Sequence, residues 1–323
     1  MAVSFILLGE NSMFYLYFGD EREEDYWLKC FSLQAPELRV VTAKDKDKVA
    51  FEEVRWVGVW NPSFNFFSGF PNLQGIFALS AGVDALVSRP DLPSGVPIMR
   101  LLDAGMAQQM IDYLLWVMLT LRGDFDLYLQ RQKQKAWQPE LSKNPAKPRV
   151  GILGLGALGM KVAKKFSELG YSVSGWKRTA AVVEGVEVLV GAEGFANLLG
   201  KTDLLVNLLP NTVATNGILN KANLEKLPKG ASLVNLGRGQ QLVDKDLINL
   251  LDTQHLRLAV LDVFSTEPLP ENHPFWAHSQ VIITPHIAAY TLPELAVEQV
   301  VNNLKRLAKG EKPTGLVDST LGY

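Results

Sequence analysis

The 323-residue sequence predicts an α/β protein with two doubly wound parallel-sheet domains, and three observations lead there. Short apolar runs alternate with helical segments along the whole chain. One run, Val150 to Leu153, breaks into Gly154, Gly156 and Gly159 at the G-x-G-x-x-G spacing and opens a helical pattern ending at Gly170. The same alternation fills the residues before it, so another domain folds ahead of the glycine turn.

The glycine turn has a mechanical reading. Gly154 permits the tight turn, Gly156 lets the backbone approach a pyrophosphate, and Gly159 lets the helix pack closely on the strand. The helix start at Ala157 and Leu158 offers N–H groups to the phosphates. A second strand, Tyr171 to Trp176, completes the βαβ length.

Ahead of the turn, strands are expected at Val3 to Leu8, Leu38 to Thr42, Arg55 to Trp60 and Gly75 to Leu79, with Ile98 in one more. Gly105 to Leu121 reads as a buried helix linking the domains, its methionines serving as core packing. Arg122 to Pro148 reads as an exposed helix and linker. Beyond the turn, strands recur at Asp203 to Leu209, Ala231 to Leu236, Arg257 to Asp262 and Val281 to Thr284, with a helix over Asp244 to His255. A last helix is punctuated by a Thr291/Glu294 capping box, an early Pro293 and a terminal Gly310, with Leu295, Val300, Leu304 and Leu307 as its apolar stripe. This end is expected to return to the first domain. The domains are then 1–102 with 289–323, and 103–288 between them.

Apolar residues make up 47% of the chain and charged residues 20%, an ordinary soluble composition. A net charge of -2 gives no basic field, so neither nucleic acid nor an anionic membrane is an expected partner. Cys30 is the single cysteine, which excludes a disulfide framework and a thiolate metal cluster; no metal site is expected. The N-terminus lacks a basic n-region, and the longest apolar run, Tyr113 to Leu121, is too short to span a bilayer. A cytoplasmic protein is the expectation.

Chemistry is expected where strands end. Of the four histidines, only His286, in VIITPHIAAY, directly follows a strand; a general acid is the sharp reading, a packed side chain the bland one. His255, His273 and His278 read as structural. Arg238, in SLVNLGRGQ, has glycines on both sides, which leaves its guanidinium open to hold a carboxylate with two bonds; a surface salt bridge is the alternative. Glu267, in LDVFSTEPLP, would fix the tautomer of His286 and favour the imidazolium if within reach. Ser80 to Asp84 follows the fourth strand, where Ala81, Gly82 and Val83 leave backbone N–H groups for a carboxylate, unless this is a plain turn.

These stretches, with VWNP at Val59 to Pro62, LSAGVD at Leu79 to Asp84 and NLLPNT at Asn207 to Thr212, resemble in order and spacing the D-2-hydroxyacid dehydrogenases, in the glyoxylate/hydroxypyruvate reductase A branch. The resemblance covers nearly the whole chain. It implies a Rossmann nucleotide domain inserted in a flavodoxin-like substrate domain, reduction of a small 2-keto acid by NADPH or NADH, and a homodimer formed through the helices around 105–148. It further implies that Arg238 binds the substrate carboxylate, His286 donates the proton and Glu267 orients it. Asp262 would meet the nicotinamide carboxamide, Leu209 and Pro210 the cofactor, the backbone of Ala81 to Val83 the carboxylate, and Trp60 the substrate.

The family's NAD-preferring members place an acid after the second strand, where this chain has Trp176, Lys177, Arg178 and Thr179. That difference favours NADPH, with a solvated basic turn as the alternative. Two competing functions remain. A β-hydroxyacid dehydrogenase would begin with the glycine turn and use a lysine. A nicotinamide-sensing interaction protein on the same scaffold would not need Arg238, Glu267 and His286 together.

Overall fold

Short, mainly apolar runs make buried strands, and they account for the centre of each sheet in this chain. The computed structural model describes residues 13–19, 21–140, 147–318 and 320–322. The chain forms two compact units and passes between them after Gly105 and again after Tyr290.

In the first unit, β1 (Met13–Phe18), α1 (Glu21–Gln34), β2 (Arg39–Val41), β3 (Val54–Trp60), β4 (Gly75–Ala78), α2 (Asp84–Val87) and β5 (Ile98–Arg100) build a parallel sheet of order β2-β1-β3-β4-β5. The expected strand at Val3 to Leu8 lies outside the described residues. Strand β1, MFYLYF, was not anticipated, although Met13, Phe14 and Leu16 are wholly buried. Tyr15 packs on Phe51, Phe66 and Phe70, and burial pushes its hydroxyl up to about 12.

The second unit holds α3 (Met106–Gly123), α4 (Phe125–Lys133), β6 (Val150–Leu153), α5 (Ala157–Glu168), β7 (Val173–Trp176), β8 (Val186–Leu189), α6 (Gly191–Gly200), β9 (Leu204–Asn207), α7 (Lys221–Leu224), β10 (Ala231–Asn235), α8 (Asp244–Asp252), β11 (Leu256–Leu261) and β12 (Val281–Ile283). Its sheet is parallel throughout, with order β12-β11-β10-β9-β6-β7-β8. The order reverses between β6 and β9, which makes a crevice at their carboxyl ends. The sequence does not mark strand β8, because an edge strand with no buried residue carries no continuous apolar signal.

Helix α3 buries Ile111, Leu114, Val117 and Met118 in the core with α5. The helix expected to be buried is so on one side: Trp116 and Leu119 are exposed, since one stripe of about 100° fills the core contact. Helix α8 stops at Asp252, short of His255.

The last helix, α9 (Pro293–Ala308), packs on α1 within the first unit. Pro293 opens it and Gly310, at φ 70°, follows its end. The capping box does not form. Leu292 is the N-cap, Thr291 Oγ1 donates to the Leu79 carbonyl instead, and Glu294 accepts from the Tyr26 hydroxyl. The buried face is Ala296, Val297, Val300, Val301 and Leu304, whereas Leu295 is 43% exposed, so the stripe is rotated from the one its larger residues suggest. Among the described residues no helix is long and apolar enough to cross a membrane.

Candidate active site

Strand ends position the polar residues of the second unit. Gly154, directly after β6, has φ 98°, a value open to glycine, and an added Cβ would lie 2.7 Å from the Leu208 carbonyl oxygen. At Gly159 a Cβ would stand 1.9 Å from the Gly154 oxygen, which fixes how closely α5 packs on the strand. At Gly156 it would meet nothing within 4 Å. Helix α5 begins there, at Ala157 and Leu158, without a side-chain cap. An open backbone face at an uncapped helix start fits a pyrophosphate.

At the end of β7, Trp176 is held in place: its Nε1 donates to the Gly191 carbonyl at 2.9 Å and its ring packs edge-on against Phe195. The backbone N–H of Lys177 donates to Leu189. Arg178 and Thr179 are exposed beyond the strand, and Trp176 to Thr179 include no acid. Glu187, on the neighbouring strand β8, accepts from Ser174 and Lys201, and the Lys201 ammonium holds its carboxyl below the usual range.

Arg238, Glu267 and His286 lie after β10, β11 and β12, three strands adjacent in the sheet. His286 Nδ1 is 2.8 Å from Glu267 Oε2, while Glu267 Oε1 accepts from the Phe264 N–H at 2.9 Å. A carboxylate held by backbone on one oxygen presents the other to the imidazole in a set direction. His286 stands at φ 55°, unusual for a non-glycine residue, and its side chain is 48% exposed.

What holds His286 there is Asp262, whose buried carboxylate accepts from Thr284 Oγ1 at 2.6 Å and from the N–H groups of Ile287 and Ala288, both at 2.9 Å. The His286 N–H donates to the Asp262 carbonyl. Thr284 Oγ1, which donates to Asp262, in turn accepts from the Tyr113 hydroxyl, whose pKa burial pushes up to about 12. Neither Tyr113 nor Thr284 stood out in the sequence, and a threonine closing an apolar strand was the only available signal.

The glycines beside Arg238 serve packing, not exposure of the guanidinium. A Cβ at Gly237 would meet Gln241 Oε1 at 2.5 Å, and one at Gly239 would lie 1.8 Å from the Phe264 carbonyl carbon. Arg238 is half-buried and its Nη1 donates to the Gly237 oxygen.

In the first unit, Trp60 closes β3 and is 47% exposed, so core packing does not explain it. Ala81 and Gly82 sit half-buried past β4, Val83 is buried, and Ser80 Oγ donates to the Gly82 oxygen. Arg100, at the end of β5 and not singled out by the sequence, reaches the Ala81 oxygen at 3.4 Å.

A glycine turn and charged strand ends on a doubly wound sheet define the dinucleotide-binding α/β proteins. Within that class, the chain belongs to the D-isomer specific 2-hydroxyacid dehydrogenase family, whose NAD binding domain matches residues 115–288. Curated relatives run the length of the chain. Glyoxylate/hydroxypyruvate reductase A of Serratia proteamaculans (strain 568) is 42% identical over 97% of this chain and 100% of its own, and the protein of the same name from Yersinia enterocolitica is 39% identical over the same shares. Among solved structures, a D-isomer specific 2-hydroxyacid dehydrogenase from Xanthobacter autotrophicus Py2, in complex with NADPH and MES, matches with TM-score 0.90 and 37% identity over 96% of this chain and 99% of that one. An NADPH-dependent glyoxylate/hydroxypyruvate reductase from Sinorhizobium meliloti, bound to NADP and sulfate, matches with TM-score 0.88 and 31% identity over 97% and 100%.

Proposed function

We propose that this chain reduces small 2-keto acids, glyoxylate and hydroxypyruvate, to 2-hydroxy acids with NADPH, the second unit binding the nucleotide and the first the substrate. The observation that carries the proposal is the His286–Glu267 pair at 2.8 Å on neighbouring strand ends, with Arg238 on the next. When bound, the dihydronicotinamide supplies the hydride to the carbonyl carbon. Arg238 pairs with the substrate carboxylate and polarises the keto oxygen. His286, its Nδ1 engaged by Glu267, gives that oxygen a proton from Nε2. Asp262 has one oxygen with a single donor, Oδ2, at which the carboxamide N–H₂ of the nicotinamide would be received.

Gly154, Gly156 and Gly159 with the N–H groups of Ala157 and Leu158 receive the pyrophosphate, Leu209 and Pro210 flank the nucleotide, and Trp176 to Thr179 receive the adenosine end. Trp60 and the backbone of Ala81 to Val83 line the substrate side. The protein works in the cytoplasm as a homodimer, its two copies meeting through the exposed apolar residues Trp116, Leu119, Phe125 and Leu129. An NADPH oxidation assay with a panel of keto acids tests the reaction: turnover of glyoxylate or hydroxypyruvate supports it, and NADPH binding without turnover of any keto acid contradicts it.

A further inference from the structure

Three amide side chains, Asn207, Asn235 and Gln241, are wholly buried beneath Arg238. Asn207 Nδ2 donates to Asn235 Oδ1 at 2.9 Å and to Gln241 Oε1 at 2.6 Å. Asn235 Nδ2 donates to the Arg238 carbonyl, and its Oδ1 accepts from the Gly237 N–H. Gln241 joins two loops. Its Oε1 accepts the Arg238 N–H at 2.9 Å, while its Nε2 donates to the carbonyls of Leu209 at 3.1 Å and Pro210 at 2.9 Å. One end of a single amide therefore grips the backbone of Arg238 and the other grips the loop past β9.

No other side chain of this length both accepts and donates in that way. An ionised glutamate cannot donate, and methionine, of similar shape, does neither. The network is closed to water, so a missing partner leaves buried backbone groups unpaired. Gly237 is part of the same device, because a side chain there would strike Gln241 and Asn207.

We infer that Gln241 is a positioning residue that ties the nucleotide-side loop at Leu209–Pro210 to Arg238 and sets the guanidinium for the keto-acid carboxylate. The inference rests on the proposed role of Arg238. The tie makes the two ligands interdependent: a nucleotide that orders the Leu209–Pro210 loop also orders the arginine.

The test is a double-mutant cycle with hydroxypyruvate and NADPH, using Gln241→Met and Arg238→Lys singly and together. Gln241→Met is expected to raise the keto-acid KM by about 5- to 30-fold, the factor for a loss of about 1 to 2 kcal/mol, and to lower kcat with it, because the displaced arginine also polarises the keto oxygen. In the Arg238→Lys background the same change should raise KM by less than about twofold. A structural defect would act equally in both backgrounds, and that result, or an unchanged KM in Gln241→Met, overturns the inference. Should Gln241→Met fail to fold, Gln241→Asn replaces it, one methylene too short to span the Arg238 N–H and the Leu209–Pro210 carbonyls, with the same two outcomes. If instead Arg238→Lys leaves the KM of the wild type unaltered, the assignment of Arg238 itself fails.

Discussion

In the proposed binding mode Lys177 and Arg178 meet the ribose end of the nucleotide, and Trp176 to Thr179 include no acid to repel a 2′-phosphate. A charge-assisted bond of about 1.5 to 3 kcal/mol corresponds to about 10- to 150-fold in affinity. Arg178→Ala is expected to lower kcat/KM for NADPH within that range and to leave NADH nearly untouched; equal losses for both cofactors would remove the assignment. At this scale, much of the candidate site was legible. A histidine, a glutamate and an arginine each lie in the segment just beyond an apolar strand, and a residue so placed lies on the ligand side of a parallel sheet. The buried amides were not legible. Asn207 and Asn235 close apolar strands, but which neighbours they bond depends on strand order, which pairs β9 with β10 across intervening residues.

Among the elements, the loop following β3 is held by Arg89. It donates to the carbonyls of Pro62 and Ser63, forms a two-point pair with Asp91 and lies over the Phe67 ring at 5.5 Å. The hydrogen bonds from Arg89 hold the Asp91 carboxyl below its usual range against the opposing effect of burial. Because the folded pKa is depressed, this contribution is complete above the unfolded value, about pH 4, and is lost as the pH falls through the folded value. Arg89→Met should therefore melt a few degrees below wild type at pH 7, the scale of about 1 kcal/mol for a domain of this size. The deficit should narrow below about pH 4. A deficit that stays constant down to pH 3 would mean that only the carbonyl bonds and packing matter. Apart from β1, strands with long apolar runs are readable from sequence, while β8 and the α9 cap are not. The first is a half-buried edge, and the second was decided by Leu79 and Tyr26, each distant along the chain and near in the fold.

At the scale of the whole molecule, the chain leaves its first unit after Gly105 and returns after Tyr290, and the packing of α9 on α1 closes that unit with the C-terminal segment. The exposed faces of α3 and α4 carry the proposed dimer. Leu119→Asp with Leu129→Asp should halve the mass measured by light scattering, and an unchanged mass would place the contact elsewhere. Proton donation by His286 in a nicotinamide-dependent reduction is tested by NADPH oxidation with hydroxypyruvate in wild type and His286→Ala, with NADPH affinity determined on the same preparations. General acid catalysis contributes about 10²- to 10⁴-fold. The predicted result is a fall in kcat of that size with NADPH affinity unchanged within about twofold, because the proton matters in the transition state and little in the cofactor complex. A His286→Ala protein that reduces hydroxypyruvate at near wild-type rates would contradict it.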